Sequence, residues 1–213
     1  MSSSKAYYNR GGGHPLIYHP LVLKFIPEDL TGKTIADLGC GKGIYAYLIR
    51  ATRNSSKARI IALDGNKENI KFVRKFNIYD QFLVSILPKL ELGEKKIDYV
   101  ICSEVLEHLK KEQGSKLLDK IDQICSEMAI VTTPNILFQP AGDENFDRHE
   151  SVWSIEEFRK RGYKVYGIGI KIVPPSENHL WAKIFFGLEY IMTPFSWVLP
   201  EIAGGIIAVK YYK

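Results

Sequence analysis

The sequence predicts an α/β fold built on a doubly wound, mostly parallel sheet, and three observations carry that reading. Short apolar runs alternate with amphipathic stretches from Lys33 onward, the order expected of strands covered by helices on both faces. Asp37-Leu38-Gly39-Cys40-Gly41-Lys42-Gly43 stands between apolar Thr34-Ile35-Ala36 and the helical run Ile44–Ile49, which reads strand, glycine loop, helix. Asp64, followed by Gly65-Asn66, closes the next apolar run 21 residues after Gly43.

The elements follow in order. Strands are expected at Thr34–Leu38, Arg59–Leu63, Tyr79–Val84, Ile97–Cys102, Met128–Thr132, Lys164–Ile172 and Gly205–Tyr211. Helices are expected at Ile44–Thr52, Glu68–Phe76 and near Lys111–Cys125, and another starts at Ser154, an apparent N-cap with Glu156 and Glu157 in the first turn. Right-handed crossovers place the carboxyl ends of parallel strands on one edge, so residues 37–43, 64–66, 85–88 and 102–108 should converge in a crevice there.

Two regions lie outside this alternation. Residues 1–30 read as an N-terminal arm or cap, with Lys5, Arg10 and Lys24 interleaved with Tyr7, Tyr8 and Tyr18; an entry segment packed on the core is an equal reading. The main domain then runs over 31–213, with an apolar helical insertion near 176–200. Trp181–Leu199 holds Lys183, Glu189 and Pro194, which disfavour a membrane span. A helical cap over the pocket is the first reading, and a membrane-surface or lipid-facing segment the second.

Composition narrows the class. The chain has 213 residues, 46% hydrophobic and 25% charged, which suits one globular domain. Its net charge of +5 is too small to argue for nucleic acid or membrane alone. Cys40, Cys102 and Cys125 show no paired spacing, and Met1–Lys5 has no apolar signal core, so a cytoplasmic protein with reduced thiols is expected.

The loop spacing selects the ligand. Dinucleotide sites use G-x-G-x-x-G, and the third glycine position is Ile44 here. The pattern is instead D-x-G-x-G-x-G. A carboxylate at the loop mouth, Asp37, suits a ligand with a positive group and repels a pyrophosphate. Asp64 is placed to accept hydrogen bonds from ribose hydroxyls, or alternatively to form the turn before Gly65-Asn66.

These stretches, Ile35–Gly43 (IADLGCGKG), Ile60–Gly65 (IIALDG), Ile97–Leu109 (IDYVICSEVLEHL) and Ile130–Asn135 (IVTTPN), resemble the class I S-adenosylmethionine-dependent methyltransferases over roughly residues 30–173. The resemblance implies a Rossmann-like, mostly parallel seven-stranded sheet with a C-terminal antiparallel hairpin. It places Gly39, Cys40, Gly41 and Gly43 under the methionine part of the cofactor, Asp37 near its amino group, and Asp64 with Gly65 at the ribose. The family's adenine contact, often an Asp, aligns with Ser85 and its neighbour Ile86; Ser103 lies at the fourth strand's exit.

Glu104, Glu107 and His108 fall at i, i+3 and i+4, so on a helix they share a face. With His149 they form a candidate metal site that resembles two branches of the superfamily, the ubiquinone-biosynthesis O-methyltransferases and the small-RNA 3′-terminal 2′-O-methyltransferases. A divalent ion there binds substrate hydroxyls and lowers their pKa. Carboxylates with imidazoles suit Mn²⁺, Zn²⁺ or Fe²⁺ at least as well as Mg²⁺. The competing reading is a metal-independent strand-to-helix junction in which Glu104 lines the pocket and His108 packs, caps or acts as general base. Glu104 and His108 are the candidate catalytic residues.

The expected function is methyl transfer to an O, N or C nucleophile of a small or lipid-like acceptor. The alternatives are a metal-dependent RNA 2′-O-methyltransferase and a non-catalytic cofactor-binding module that recruits a partner or a membrane through 181–199. An aminopropyltransferase ranks lower, because Leu87-Pro88-Lys89 offers no acidic polyamine pocket. An NAD-dependent oxidoreductase ranks lower still, because of Ile44.

Overall fold

The computed structural model describes residues 18–90, 97–136, 148–171 and 179–213. Its elements are α1 (Tyr18–Leu23), β1 (Thr34–Leu38), α2 (Ile44–Thr52), β2 (Arg59–Asp64), α3 (Lys67–Val73), β3 (Gln81–Val84), β4 (Ile97–Ser103), α4 (Lys111–Ile124), β5 (Cys125–Pro134), α5 (Ile155–Lys160), β6 (Lys164–Ile168), α6 (His179–Val198) and β7 (Gly205–Tyr211). Single 3-10 turns at Leu106–His108 and Pro200–Ile202 complete the set.

Seven strands form one sheet in the order β3-β2-β1-β4-β5-β7-β6. β1 to β5 pair in parallel, and β7 runs antiparallel to both β5 and β6. Alternation along each strand builds two apolar layers. Ala36, Leu38, Val100 and Cys102 face Leu117, Leu118 and Ile121 of α4 and Phe158 of α5. Ile35, Tyr99 and Ile101 face Tyr18 and Val22 of α1, Ile49 of α2 and Val73 of α3.

Local chemistry sets the boundaries. Asn66 starts α3 by accepting the Glu68 N–H at 2.9 Å, and Ser154 starts α5 as expected, in a reciprocal capping box with Glu157. β6 stops at Ile168, short of the expected Ile172, because Gly169 turns the chain at φ +64°. β5 is longer than expected and runs through Pro134, whose antiparallel partner Gly205 opens β7. Tyr18, Val22, Ile26 and Leu30 are buried in the second layer, so residues 18–30 belong to the body of the fold. The arm expected at residues 1–17, with Lys5, Tyr7, Tyr8 and Arg10, lies outside the described residues.

This topology positions the site. Ile168 at the end of β6 and Pro134 at the end of β5 both pair with Gly205 at the start of β7. The β6–β7 connection, including α6, therefore rises from the same edge as the exits of β1, β2 and β4. Pro194 lies inside α6, and among the described residues no helix is long and apolar enough to cross a membrane.

Candidate active site

At the exit of β1 the chain turns through Gly39, Gly41 and Gly43, all at positive φ, before α2 begins. Gly39 is required twice over. Its φ is +73°, and a Cβ there would sit 2.3 Å from Val105 Cγ2. The loop is tied to the sheet by Gly39 and Cys40 N–H groups donating to the Leu63 carbonyl at 2.7 and 3.0 Å. The positive end of α2 faces the loop, and its first turn carries no acid, so an anionic group is favoured there.

Asp64 organises the cradle. Its Oδ2 accepts from Gly41 N–H at 2.8 Å and Asn69 Nδ2 at 3.2 Å, and its Oδ1 accepts from Asn66 N–H at 2.7 Å. Three of roughly four lone-pair directions are used, which leaves one for a ribose hydroxyl; a second hydroxyl must displace the Asn69 amide. Asp37 is 3% exposed and accepts the Tyr79 hydroxyl at 2.6 Å. Burial, reinforced by the Asp64 charge and opposed by the Tyr79 bond, raises its carboxyl to about 7. A nearby cation would relieve that cost, so the site fits a ligand carrying an ammonium or sulfonium. Cys40 is buried, and burial pushes its thiol up, out of the reactive range.

The expected adenine position lies just beyond β3. Ser85 turns its hydroxyl onto the Lys89 carbonyl and its N–H onto Asp64 O at 3.2 Å, so both groups already have partners within the protein. Ile86 is 70% exposed and lies beside Gly65, where a Cβ would meet its Cγ1 at 3.6 Å. An apolar platform, rather than a serine hydroxyl, is what this segment offers to a flat base.

β1 and β4 pair with Leu38 opposite Cys102, which sets Ser103 beside the glycine loop. Ser103 Oγ lies 3.2 Å from Tyr45 Oη and 2.8 Å from Thr132 Oγ1, and Thr132 donates on to Glu104 Oε1 at 2.9 Å. The expected shared helical face of Glu104, Glu107 and His108 does not form. Glu104 sits at φ +52°, and only Leu106–His108 make a turn, a 3-10 one. Strain at a non-glycine residue in this region is a feature of functional junctions.

Glu107 points inward, 2% exposed. Its Oε2 accepts from Thr133 Oγ1 at 3.0 Å, while its Oε1 has no hydrogen-bond partner. Burial first, and the Glu104 charge second, raise its carboxyl well above the usual range. The segment after residue 147 is clamped onto this turn. Glu150 and Ser151 N–H donate to Glu107 O at 2.6 and 3.1 Å, and Ser151 Oγ and Trp153 Nε1 donate to Leu106 O at 3.0 and 3.3 Å. The clamp brings the His149 ring within 5.0 Å of the His108 ring.

Glu107, His108 and His149 each present a ligand atom within 4.8 Å of the others. Glu104 is outside this trio, a change from the four-residue expectation. The fit to a divalent ion is good. The Arg148 carbonyl can only accept, so His108 Nδ1 at 3.2 Å carries a proton, which leaves Nε2, 4.0 Å from Glu107 Oε1, as the nitrogen a metal would take.

Several residues here were not singled out in the sequence: Tyr79 on Asp37, Asn69 on Asp64, Val105 against Gly39, and Thr133 on Glu107. A buried tyrosine just ahead of β3 is a usable signal, because a buried hydroxyl needs a partner. The others depend on pairing across the sheet.

Parallel order, a glycine cradle with an acid at each of the first two strand exits, and a β7 reversal define the class I methyltransferase architecture. Residues 36–133 match the family model of the methyltransferase domain, and the chain is similar to S-adenosylmethionine-dependent methyltransferases in fold. The ubiquinone biosynthesis O-methyltransferase of Rickettsia akari is 31% identical over 144 residues, covering 62% of this chain and 56% of that protein. The chain thus spans a little over half the length of that curated relative. A methyltransferase of Haloferax volcanii, solved with the Trm112 methyltransferase activator, superposes with a TM-score of 0.63 at 19% identity, covering 90% of this chain and 87% of that one. An S-adenosylmethionine-dependent methyltransferase from Archaeoglobus fulgidus gives 0.57 at 18% identity, covering 93% and 95%.

Proposed function

We propose that this protein transfers the methyl group of S-adenosylmethionine to a hydroxyl oxygen of a small acceptor with an apolar, lipid-like portion. One observation carries the reading. The glycine cradle and the Glu107–His108–His149 trio adjoin at one sheet edge, joined where Val105 presses on Gly39. Asp37 answers the cationic end of the cofactor, the α2 N-terminus its carboxylate, Asp64 its ribose, and Gly65 with Ile86 its base. Glu107, His108 and His149 would hold a divalent ion, which supplies Lewis acidity to the acceptor hydroxyl. The remaining work is alignment of that oxygen with the methyl group, with water kept out by α6 and the buried Glu107 environment.

The O-methyltransferase name of the Rickettsia relative supports oxygen as the atom methylated. The apolar acceptor is supported by Leu188, Ile191, Phe195, Val198 and Leu199, exposed at three- and four-residue steps along α6 and just beyond it. The same stripe supports peripheral contact with a membrane surface, checked by flotation of wild type and Phe195→Glu with lipid vesicles. A non-catalytic module explains less, because cofactor binding alone has no use for the unpartnered Glu107 oxygen. The test is calorimetric titration with S-adenosylhomocysteine, then methylation of a catechol before and after chelation. Failure to bind S-adenosylhomocysteine would overturn the assignment, and full activity after chelation and dialysis would overturn the metal part.

A further inference from the structure

α6 brings in a buried carboxylate of its own. Glu189 on α6 is 9% exposed, and its Oε2 has no hydrogen-bond partner. Its position is held from two sides. Thr193 Oγ1 accepts the Gly169 N–H at 3.1 Å and donates to the Glu189 carbonyl at 2.6 Å, tying this turn of α6 to the end of β6. Glu189 Oε1 lies 2.9 Å from where a Cβ on Gly169 would stand, so a larger residue there would move the carboxylate.

Tyr18 of α1 lies alongside. Its hydroxyl is packed over Gly205 at the start of β7, 1.5 Å from where a Cβ would be. Gly205 pairs with Pro134, next to the Thr132 and Thr133 that hold Glu104 and Glu107, and with Ile168, next to the Gly169 on which Glu189 packs. The start of β7 therefore lies between the three carboxylates, whose charges raise the Tyr18 hydroxyl after burial itself. These come from the exit of β4, the 3-10 turn and the cap helix. Two of them, Glu107 and Glu189, are buried and hold an oxygen with no hydrogen-bond partner among the described residues. Among the described residues Glu189 forms no ion pair, and burial raises its carboxyl. A buried carboxylate oxygen without a partner is costly and is retained where a ligand completes it.

We propose that Glu189 selects the acceptor: it receives a hydrogen-bond donor of a neutral or cationic acceptor, and its charge excludes acceptors that carry an anionic group beside the methylated position. The assignment rests on the methyltransferase reading above. It adds a substrate class to that reading, because RNA and carboxylated aromatics are disfavoured and uncharged or amine-bearing hydroxyl compounds are favoured. Burial raises the Glu189 carboxyl to about 7, so it is largely ionised at pH 8.

The experiment measures binding of three catechol probes at pH 8 to protein saturated with S-adenosylhomocysteine and Mn²⁺. The probes differ only in a side chain that is aminoethyl, ethyl or carboxymethyl. Wild type is expected to bind the aminoethyl probe at least about tenfold more tightly than the carboxymethyl one. Glu189→Gln should reduce that ratio to about threefold or less, with S-adenosylhomocysteine affinity unchanged within about twofold. Gly169→Ala, which displaces the carboxylate without changing charge, should move the ratio the same way. Glu189→Gln should also melt at the same temperature as wild type or higher, since it removes a buried unpartnered charge. An unchanged ratio in Glu189→Gln, no binding of any probe by protein that binds S-adenosylhomocysteine, or a lowered melting temperature with the ratio intact would overturn the proposal. Failure of wild type to bind S-adenosylhomocysteine would instead sink the function on which it rests.

Discussion

At the cofactor end of the cleft, Asp64 accepts from Gly41, Asn66 and Asn69, and the loop it organises comes from neighbouring stretches of chain. At the proposed acceptor end, Glu107 and His108, then His149, then Glu189 arrive from three separate connections, and among the described residues two carboxylate oxygens find no partner. The first end is tied mostly by its own hydrogen bonds, with one Asp64 position and the buried Asp37 carboxyl left for a ligand. The second is left electrostatically unfinished, as expected where ligands supply the missing partners. The difference teaches where preorganisation resides: the cradle is built by the fold, while the acceptor end is built for what it binds.

The comparison breaks most readily at Gly39, which touches both ends. Gly39→Ala combines strain at φ +73° with a 2.3 Å approach to Val105 Cγ2, and should cost about 2–4 kcal/mol. Calorimetric scans should show melting lowered by roughly 5–15 °C, with cofactor affinity lost along with it.

His108→Ala separates the two ends. Mn²⁺ affinity, read by electron paramagnetic resonance, should fall at least about tenfold, while S-adenosylhomocysteine affinity stays within about twofold. Loss of both together would show that the ends are not independent.

Asp37 sharpens the cofactor end through pH. Its folded pKa of about 7 lies above the unfolded aspartate value, so the native state holds the extra proton between about pH 4 and 7. The stability this contributes is fully present below about pH 4 and is lost as pH rises through 7. Affinity for the cationic cofactor runs the other way, rising up to roughly tenfold from pH 6 to 8 as the carboxylate ionises. Asp37→Asn should flatten both profiles, as followed by titration and thermal unfolding across that range.

The smallest effect belongs to Ser85. Its hydroxyl is spent on the Lys89 carbonyl, so Ser85→Ala should change cofactor affinity by less than about twofold. A larger loss, measured by the same titration, would restore the serine as an adenine contact.

Legibility in the sequence follows the same division. β1, α2 and β7 stand where periodicity puts them, because each is a contiguous apolar pattern bounded by glycine or a cap. The cradle was readable for the same reason, since its glycines and Asp37 lie within seven consecutive residues. Glu104 was placed on a helix because i, i+3, i+4 spacing is all that a one-dimensional pattern offers; its positive φ arises from the sheet, where its N–H bonds to Thr132 O at 3.0 Å. The approach of His149 to His108 depends on the Ser151 and Trp153 clamp, and the Tyr79–Asp37 bond spans 42 residues. Neither leaves a local mark. The β6–β7 insertion was legible as apolar and helical, but the burial of Glu189 inside it depends on Gly169 and Thr193.

The most direct measurement is a calorimetric titration of S-adenosylhomocysteine into wild type and Asp64→Ala. Wild type should bind with a dissociation constant in the micromolar to sub-millimolar range. The variant should bind at least about a hundredfold more weakly, because it loses the ribose acceptor and the charge-assisted bonds that hold the loop. Equal binding by the two proteins, or none by wild type, would contradict the account.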